Sequence, residues 1–334
     1  MTDGRKTPGR SLLLLPLAAA ALAAALLGLA LGSAPLTLGE VLEGLFSPER
    51  TTQRLILWAV RLPRVAAALL AGAGLAVSGV LLQTATNNPL AGPSVIGVNA
   101  GAGFAMILGL CLFPLSYRML PLAAFVGAFA CTALIVAVSA RAGGSKATIV
   151  LAGVAVSTLL NAGISLLKLL YPDMTETYTH FSVGDVDGVT FRQLAAPAAI
   201  IGVCLAAAMV LGPRLDLLCL GDALAASLGV QVKLLRTAAL LLASASAAAA
   251  VSFSGLLGFV GLMVPHIARR LVGTDLRRLL PAAALLGAAL VTASDLIGRV
   301  AFAPSQVPAG IITSFVGVPF FFVLLLQRRN RMWT

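Results

Sequence analysis

An all-α protein that crosses a membrane ten times is what this sequence predicts, on three observations. Hydrophobic residues make up 59% of the chain and charged residues 10%, where an average soluble domain is about a quarter charged. Apolar runs recur from end to end, and about twenty residues rising roughly 1.5 Å each cross a hydrocarbon core of roughly 30 Å. The 23 lysines and arginines fall unevenly between those runs, which gives the runs a direction across the bilayer.

The first span covers 11–32. Arg5, Lys6 and Arg10 precede it as they would a signal peptide, but the apolar run is longer than a usual signal core and is read as a span. The second, 61–83, opens on Arg-Leu-Pro-Arg and carries small residues at Gly72, Ala76 and Gly79 and at Ala71, Gly74 and Ser78. Such spacing lets helix backbones approach closely where hydrophobicity no longer drives association. Predominantly apolar runs place the next five spans at 98–115, 119–140, 147–170, 192–212 and 233–253. The eighth, 255–270, is short and contains Pro265; the ninth and tenth are 279–297 and 307–326. One transmembrane domain, 1–334, holds them all, and no connecting segment exceeds about 30 residues. An ATPase or a ligand-capturing domain therefore has to be another chain.

With both termini inside, fifteen of the 23 basic residues lie in inner segments, among them Arg214, Lys233, Arg236, Arg269, Arg270, Arg277, Arg278, Arg328, Arg329 and Arg331. The outer segments keep Arg50, Arg54, Arg61, Arg64, Arg118, Lys168, Arg192 and Arg299. Orientation explains the net charge of +11 better than nucleic acid does, since aromatic residues are only 6%. Cys111, Cys131, Cys204 and Cys219 show no ligand spacing, and there is no Walker A motif, HExxH pair or Cys/His cluster. No catalytic residue, no metal site and no cofactor are expected in this chain, which reads as a carrier rather than an enzyme.

Five stretches stand out against that background. In "RLPR", the guanidinium forks of Arg61 and Arg64 suit carboxylates of an acidic partner. In "QTATNNPLAGPSVIGVNAGAG", Pro89 and Pro93 force Asn88 and Gly92 out of the helix, while Gln83, Asn87 and Asn88 supply hydrogen bonds without charge. Irregular backbone at a membrane boundary persists only where protein or a water-filled cavity satisfies it. "RLDLLCLGDALAASLGVQVKLLR" predicts two short cytoplasmic helices hinged at Gly221, displaying leucines as a docking face. "GFVGLMVPHIARRLVGTDLRRLLP" runs into a basic inner turn, with His266 read as a structural hydrogen-bonder. In "TASDLIGRV", Asp295 and Arg299 form an i,i+4 pair at an outer helix end.

In order along the chain, "RLPR", "GAGLAVSGVLLQ", "NNPLAGPSVIGVNAGAG", "LAGVAV", "LDLLCLGDALAASLGV", "GLLGFVGLMVPHIARRLVGTDLRRLLP" and "VPAGIITSFVGVPFF" resemble the FecCD, or type II ABC importer, permeases for iron-siderophores, haem and cobalamin. The resemblance implies that fold, with ten spans, in a bacterial inner membrane. It implies a second permease copy or paralogue, two cytoplasmic ATPases carrying ATP and Mg, and an extracytoplasmic binding protein. It places Arg61, Arg64 and Arg299 where basic residues meet acids of the binding protein. Residues 215–229 match coupling helices, with Leu217, Leu218, Gly221, Asp222, Leu224 and Leu228 as contacts, and Asn88, Pro89 and Leu90 match the inner end of the pathway. Three departures matter: Gln306 stands in place of an acid, Asp185 and Asp187 are added in an outer loop, and Ala223 and Ala226 replace charged residues of the coupling loop. The expected cargo is an iron(III)-siderophore-like chelate, with haem or cobalamin as alternatives within the family. An ion-coupled secondary transporter is the rival from another class; such proteins hold acids within spans, and here Asp295 is the main one.

Overall fold

The structure, a computed structural model, describes residues 12–32, 36–46, 51–113, 116–142 and 146–331. Arg5, Lys6, Arg10 and Arg50, used above for orientation, lie outside the described residues, as does the start of the first predicted span. Among the described residues every regular element is helical. The α-helices are α1 (Leu14–Ala30), α2 (Leu38–Phe46), α3 (Thr52–Ile56), α4 (Leu62–Thr86), α5 (Val98–Leu112), α6 (Leu120–Arg141) and α7 (Lys146–Leu170). There follow α8 (Thr175–Val183), α9 (Phe191–Leu218), α10 (Asp222–Ser227), α11 (Val232–Ser254), α12 (Val260–Val272), α13 (Leu276–Val300) and α14 (Ala309–Arg331).

Each of the ten predicted spans overlaps one of these helices. Six helical stretches are long and apolar enough to cross a membrane: Thr52–Thr86, Leu120–Arg141, Ala147–Leu170, Phe191–Leu218, Val232–Ser254 and Leu276–Val300. Three shorter apolar helices, Leu14–Ala30, Val98–Leu112 and Ala309–Leu324, accompany them. The protein is integral to the membrane: Leu120–Arg141, Ala147–Leu170 and Phe191–Leu218 leave most of their apolar length uncovered by protein, and lipid is the medium that covers such a surface.

α4 is the hub. It packs against α13, α11, α12 and α9, and its small residues explain how. A side-chain carbon at Gly72 would sit 2.0 Å from the Gly287 carbonyl oxygen on α13, and one at Gly79 1.8 Å from that of Gly261 on α12. The helices therefore meet backbone to backbone, as the small-residue spacing predicts. Ser246 of α11 adds a hydrogen bond, its Oγ donating to the Gly74 carbonyl at 2.8 Å. A second layer, α5 with α6 and α7, stands beside this bundle.

Two predicted boundaries are corrected. The connection between the first two predicted spans, 33–60, holds α2 and α3 among its described residues, and a π-turn at Leu57–Arg61 leads from there into α4. Local capping accounts for it: Thr37 and Glu40 bond each other reciprocally at the start of α2, and the Thr51 side chain accepts from the Arg54 amide at α3. Pro63 then falls in the first turn of α4, where its missing N–H costs nothing. The eighth span, predicted as 255–270, is helical only from Val260 to Val272. At about 20 Å that helix is shorter than the hydrocarbon core. Its predicted first turns are non-helical because Gly255 and Phe259 take positive φ, 65° and 62°. The Leu256 amide instead donates to the Phe181 carbonyl at 3.0 Å, so irregular backbone is satisfied inside protein rather than facing lipid.

Candidate functional site

Polar side chains concentrate at two opposite ends of α4. At its N-terminal end stand the three predicted docking arginines, and the structure brings all of them together. Arg64, 4% exposed, donates through Nε to Asp295 Oδ1 at 2.9 Å and through Nη1 to Asp187 Oδ1 at 2.6 Å and Gln306 Oε1 at 2.7 Å. Arg299 Nε lies 3.0 Å from Asp295 Oδ2. Asp295 is thus clamped between two guanidiniums that neutralise its burial.

Arg61 and Arg299 also turn onto α1. Arg61 Nη1 donates to the carbonyls of Leu29 at 2.6 Å and Ala30 at 2.9 Å, and Arg299 Nη2 to that of Gly28 at 3.2 Å. These are the orphan carbonyls and the negative dipole end of a helix, where a cation is favoured. The three arginines were expected to present themselves to a partner; their side chains are instead buried and bonded within the chain. What reaches solvent beside them is a cleft of about 250 Å³ lined by Arg61, Arg64, Arg299 and Gln306. The Asp187 side chain, 54% exposed, lies over Arg64 as well.

The loop that carries Asp187 is held by its own chemistry. Asp185 Oδ1 accepts from the amides of Val186 at 2.7 Å and Asp187 at 3.3 Å, an Asx-type turn. Val186 is fully buried, which pins the loop so that Asp187 meets Arg64.

At the C-terminal end of α4 the helix runs to Thr86 and stops at Asn87, which takes the left-handed conformation at φ 48°. Asn88, Pro89 and Leu90, the predicted gate residues, form the turn that follows, with the Leu90 amide donating to Asn88 Oδ1 at 3.0 Å. Asn88 is exposed and Pro89 and Leu90 are half-buried. Gly92 is extended, as Pro93 requires. Gln83 is occupied on both sides, its Nε2 donating to the Leu262 carbonyl at 3.3 Å and its Oε1 accepting from Arg269.

The predicted coupling segment lies at this same end, with a different helix plan from the one expected. α9 continues unbroken through Leu218, and only one short helix, α10, follows the hinge at Gly221. Gly221, with φ 99°, does mark the joint. Leu218 is 1% exposed and belongs to the core together with Leu215, because helical periodicity turns both inward on the last turns of α9. Leu217 is half-buried. Leu220, Leu224 and Leu228 are exposed at 55%, 50% and 56%, so the outward leucine face is carried by these three.

Arg236 joins the two features at this end of α4, and sequence reading gave it no role beyond orientation. Its Nε donates to the Ala85 carbonyl at the end of α4 at 2.9 Å, and its Nη2 pairs with Asp222 Oδ1 at the start of α10 at 2.6 Å. Its side chain is buried. A buried arginine that caps one helix and pairs with another needs three distant segments to meet, and no local pattern announces that. Among the described residues no group of three or more His, Cys, Asp or Glu side chains is arranged to hold a metal ion. His266 lies edge-on to Phe320 with ring centroids 6.0 Å apart.

The sequence matches the FecCD transport family over residues 20–327. It is 38% identical over 328 residues to the achromobactin transport system permease protein CbrC of Dickeya dadantii, covering 97% of this chain and 93% of that one. It is 39% identical over 312 residues to the iron(3+)-hydroxamate import system permease protein FhuB of Bacillus subtilis, covering 92% of this chain and 80% of the relative. A solved structure described as an inward-facing metal-chelate type ABC transporter superposes with a TM-score of 0.84 at 30% identity, covering 94% of this chain and 99% of that one.

Proposed function

The chain belongs to the FecCD transport family, a family of transport permeases and not of enzymes, and from that premise we propose that it is the membrane subunit of an ATP-driven importer for an iron(III)-siderophore-like chelate. The cargo is argued from relatives named for achromobactin and iron(3+)-hydroxamate import. The proposed setting is a bacterial inner membrane crossed ten times with both termini cytoplasmic, a second permease copy or paralogue, two ATPases holding ATP and Mg, and an extracytoplasmic binding protein.

The observation that carries the mechanism is the division of labour along α4. Its outer end holds the cleft formed by Arg61, Arg64, Arg299 and Gln306. Its inner end meets the Asn88-Pro89-Leu90 turn and, through Arg236, the α10 helix. In this reading an acidic group of the binding protein enters the outer cleft and takes over Arg64 from Asp187. ATP-driven closure of the ATPases pushes on Leu220, Leu224 and Leu228, with Leu217, Gly221 and Asp222 completing that surface and Leu218 anchoring it from inside. Arg236 carries the displacement to the end of α4, where the Asn88-Pro89-Leu90 turn opens or closes the pathway. Coupling needs two conformations that ATP binding distinguishes, and the Asp222–Arg236–Ala85 chain is one contiguous physical connection between α10 and the inner end of α4.

The test is uptake by the reconstituted assembly of permease, ATPase and binding protein. Arg236→Ala should retain ATP hydrolysis while ferric-chelate uptake per ATP falls at least tenfold, with partial rescue by Arg236→Lys. A fall of hydrolysis and uptake in strict proportion would contradict a transmitting role.

A further inference from the structure

Two basic residues at the outer end take no part in the cluster around Asp295. Arg118, just before α6, and Arg192, in the first turn of α9, are exposed. Neither forms an ion pair or hydrogen bond among the described residues. They stand at the mouth of a cavity of about 610 Å³ whose lining holds no carboxylate. α6 and α9 both pack on α11, and the cavity runs as a groove between them. Its walls below the arginines are apolar, with Leu122 and Phe125 from α6 facing Pro197 and Ile200 from α9.

The charge at the mouth is cationic twice over. α6 and α9, of 22 and 28 residues, both begin at this level, so the positive ends of two long helix dipoles lie beside the two guanidiniums. Outer arginines run against the charge bias that orients membrane proteins. Arg61, Arg64 and Arg299 are occupied inside the chain; among the described residues Arg118 and Arg192 have no such partner. A cationic mouth above an apolar trough is complementary to a ligand with an anionic head and a hydrocarbon body. The exposed Val126 on α6 and Val203 on α9 give the surface beside the groove the apolar character of a lipid-facing wall.

We propose that this groove binds one anionic phospholipid of the outer leaflet. The phosphate sits between Arg118 and Arg192, and an acyl chain lies between the α6 and α9 walls. A lipid whose headgroup also carries an ammonium offers these arginines less, because its positive charge faces theirs.

The purified full-length protein in neutral detergent is titrated with phosphatidylglycerol or with phosphatidylcholine of the same chains, and bound lipid is read by native mass spectrometry. The expected result is a single retained phosphatidylglycerol, bound at least tenfold tighter than phosphatidylcholine. Arg118→Gln and Arg192→Gln each weaken it about fivefold and together about thirtyfold, at about 1 kcal/mol per basic residue. Both side chains are exposed, so the thermal midpoint of lipid-free protein stays unchanged. Ala196→Trp, which fills the apolar part, removes the lipid with both arginines intact. Equal retention of the two lipids, undiminished phosphatidylglycerol on the double variant, or competition by inorganic phosphate as effective as by the lipid would each overturn the proposal.

Discussion

Asp295 is 1% exposed and faces two guanidiniums, so its removal leaves Arg64 and Arg299 buried against one another. Breaking such a pair costs about 3–5 kcal/mol, and Asp295→Ala should lower the thermal midpoint in detergent steeply. Asp187 pairs with the same Arg64 but its side chain is 54% exposed, where an ion pair is worth about 1 kcal/mol or less. Asp187→Asn should therefore leave the midpoint nearly unchanged while strengthening capture of the binding protein, because an internal competitor for Arg64 is gone. Gln306→Glu, which sets an exposed carboxylate against Arg64 in place of a neutral acceptor, should weaken the same capture, more at low salt than at high. If both variants bound the binding protein like the parent, the outer cleft would not be its docking site. The sequence made these arginines conspicuous as outer basic residues and made Asp295 and Arg299 a helical pair. It did not reveal that Arg61 and Arg299 close the carbonyl end of α1, because that contact joins helix ends far apart in the chain.

Between helices, the small residues of α4 were readable because their spacing has a direct geometric meaning. Gly79→Val would drive a side chain into the Gly261 backbone, 1.8 Å from where its first carbon must go. It should separate α4 from α12 and sharply reduce folded protein recovered in detergent, whereas Ala73→Val, at a half-buried neighbour, should not. The coupling segment was legible only in part. The hinge glycine was identifiable, but the extension of α9 to Leu218 was not, since leucines at 215, 217, 218 and 220 fit an inner or an outer face equally well. Burial separates them: Leu224→Ser together with Leu220→Ser should abolish copurification with the ATPase at unchanged stability, while Leu218→Ser should destabilise the protein itself. Copurification that survived the exposed pair would remove α10 from the ATPase interface. The eighth span failed as a continuous helix because hydropathy averages over residues and is blind to the positive φ of Gly255 and Phe259.

For the whole molecule, the helical membrane architecture was evident from composition and from the length of the apolar runs. The segregation of its polar contacts to two ends was not, because it depends on which helix ends meet. The proposed orientation puts the exposed Cys219 on the cytoplasmic side. In a variant keeping only this cysteine, a membrane-impermeant maleimide should label inside-out vesicles and spare right-side-out ones; the reverse pattern would invert the topology. In the proposed function the chain moves its cargo by ATP-driven coupling and not by an ion gradient. Proteoliposomes containing the permease with its ATPase, loaded for import and supplied with binding protein and a ferric chelate, test it most directly. Uptake should require ATP and the binding protein and persist when proton and sodium gradients are collapsed. Uptake by the permease alone, driven by an imposed ion gradient without ATPase, would contradict it.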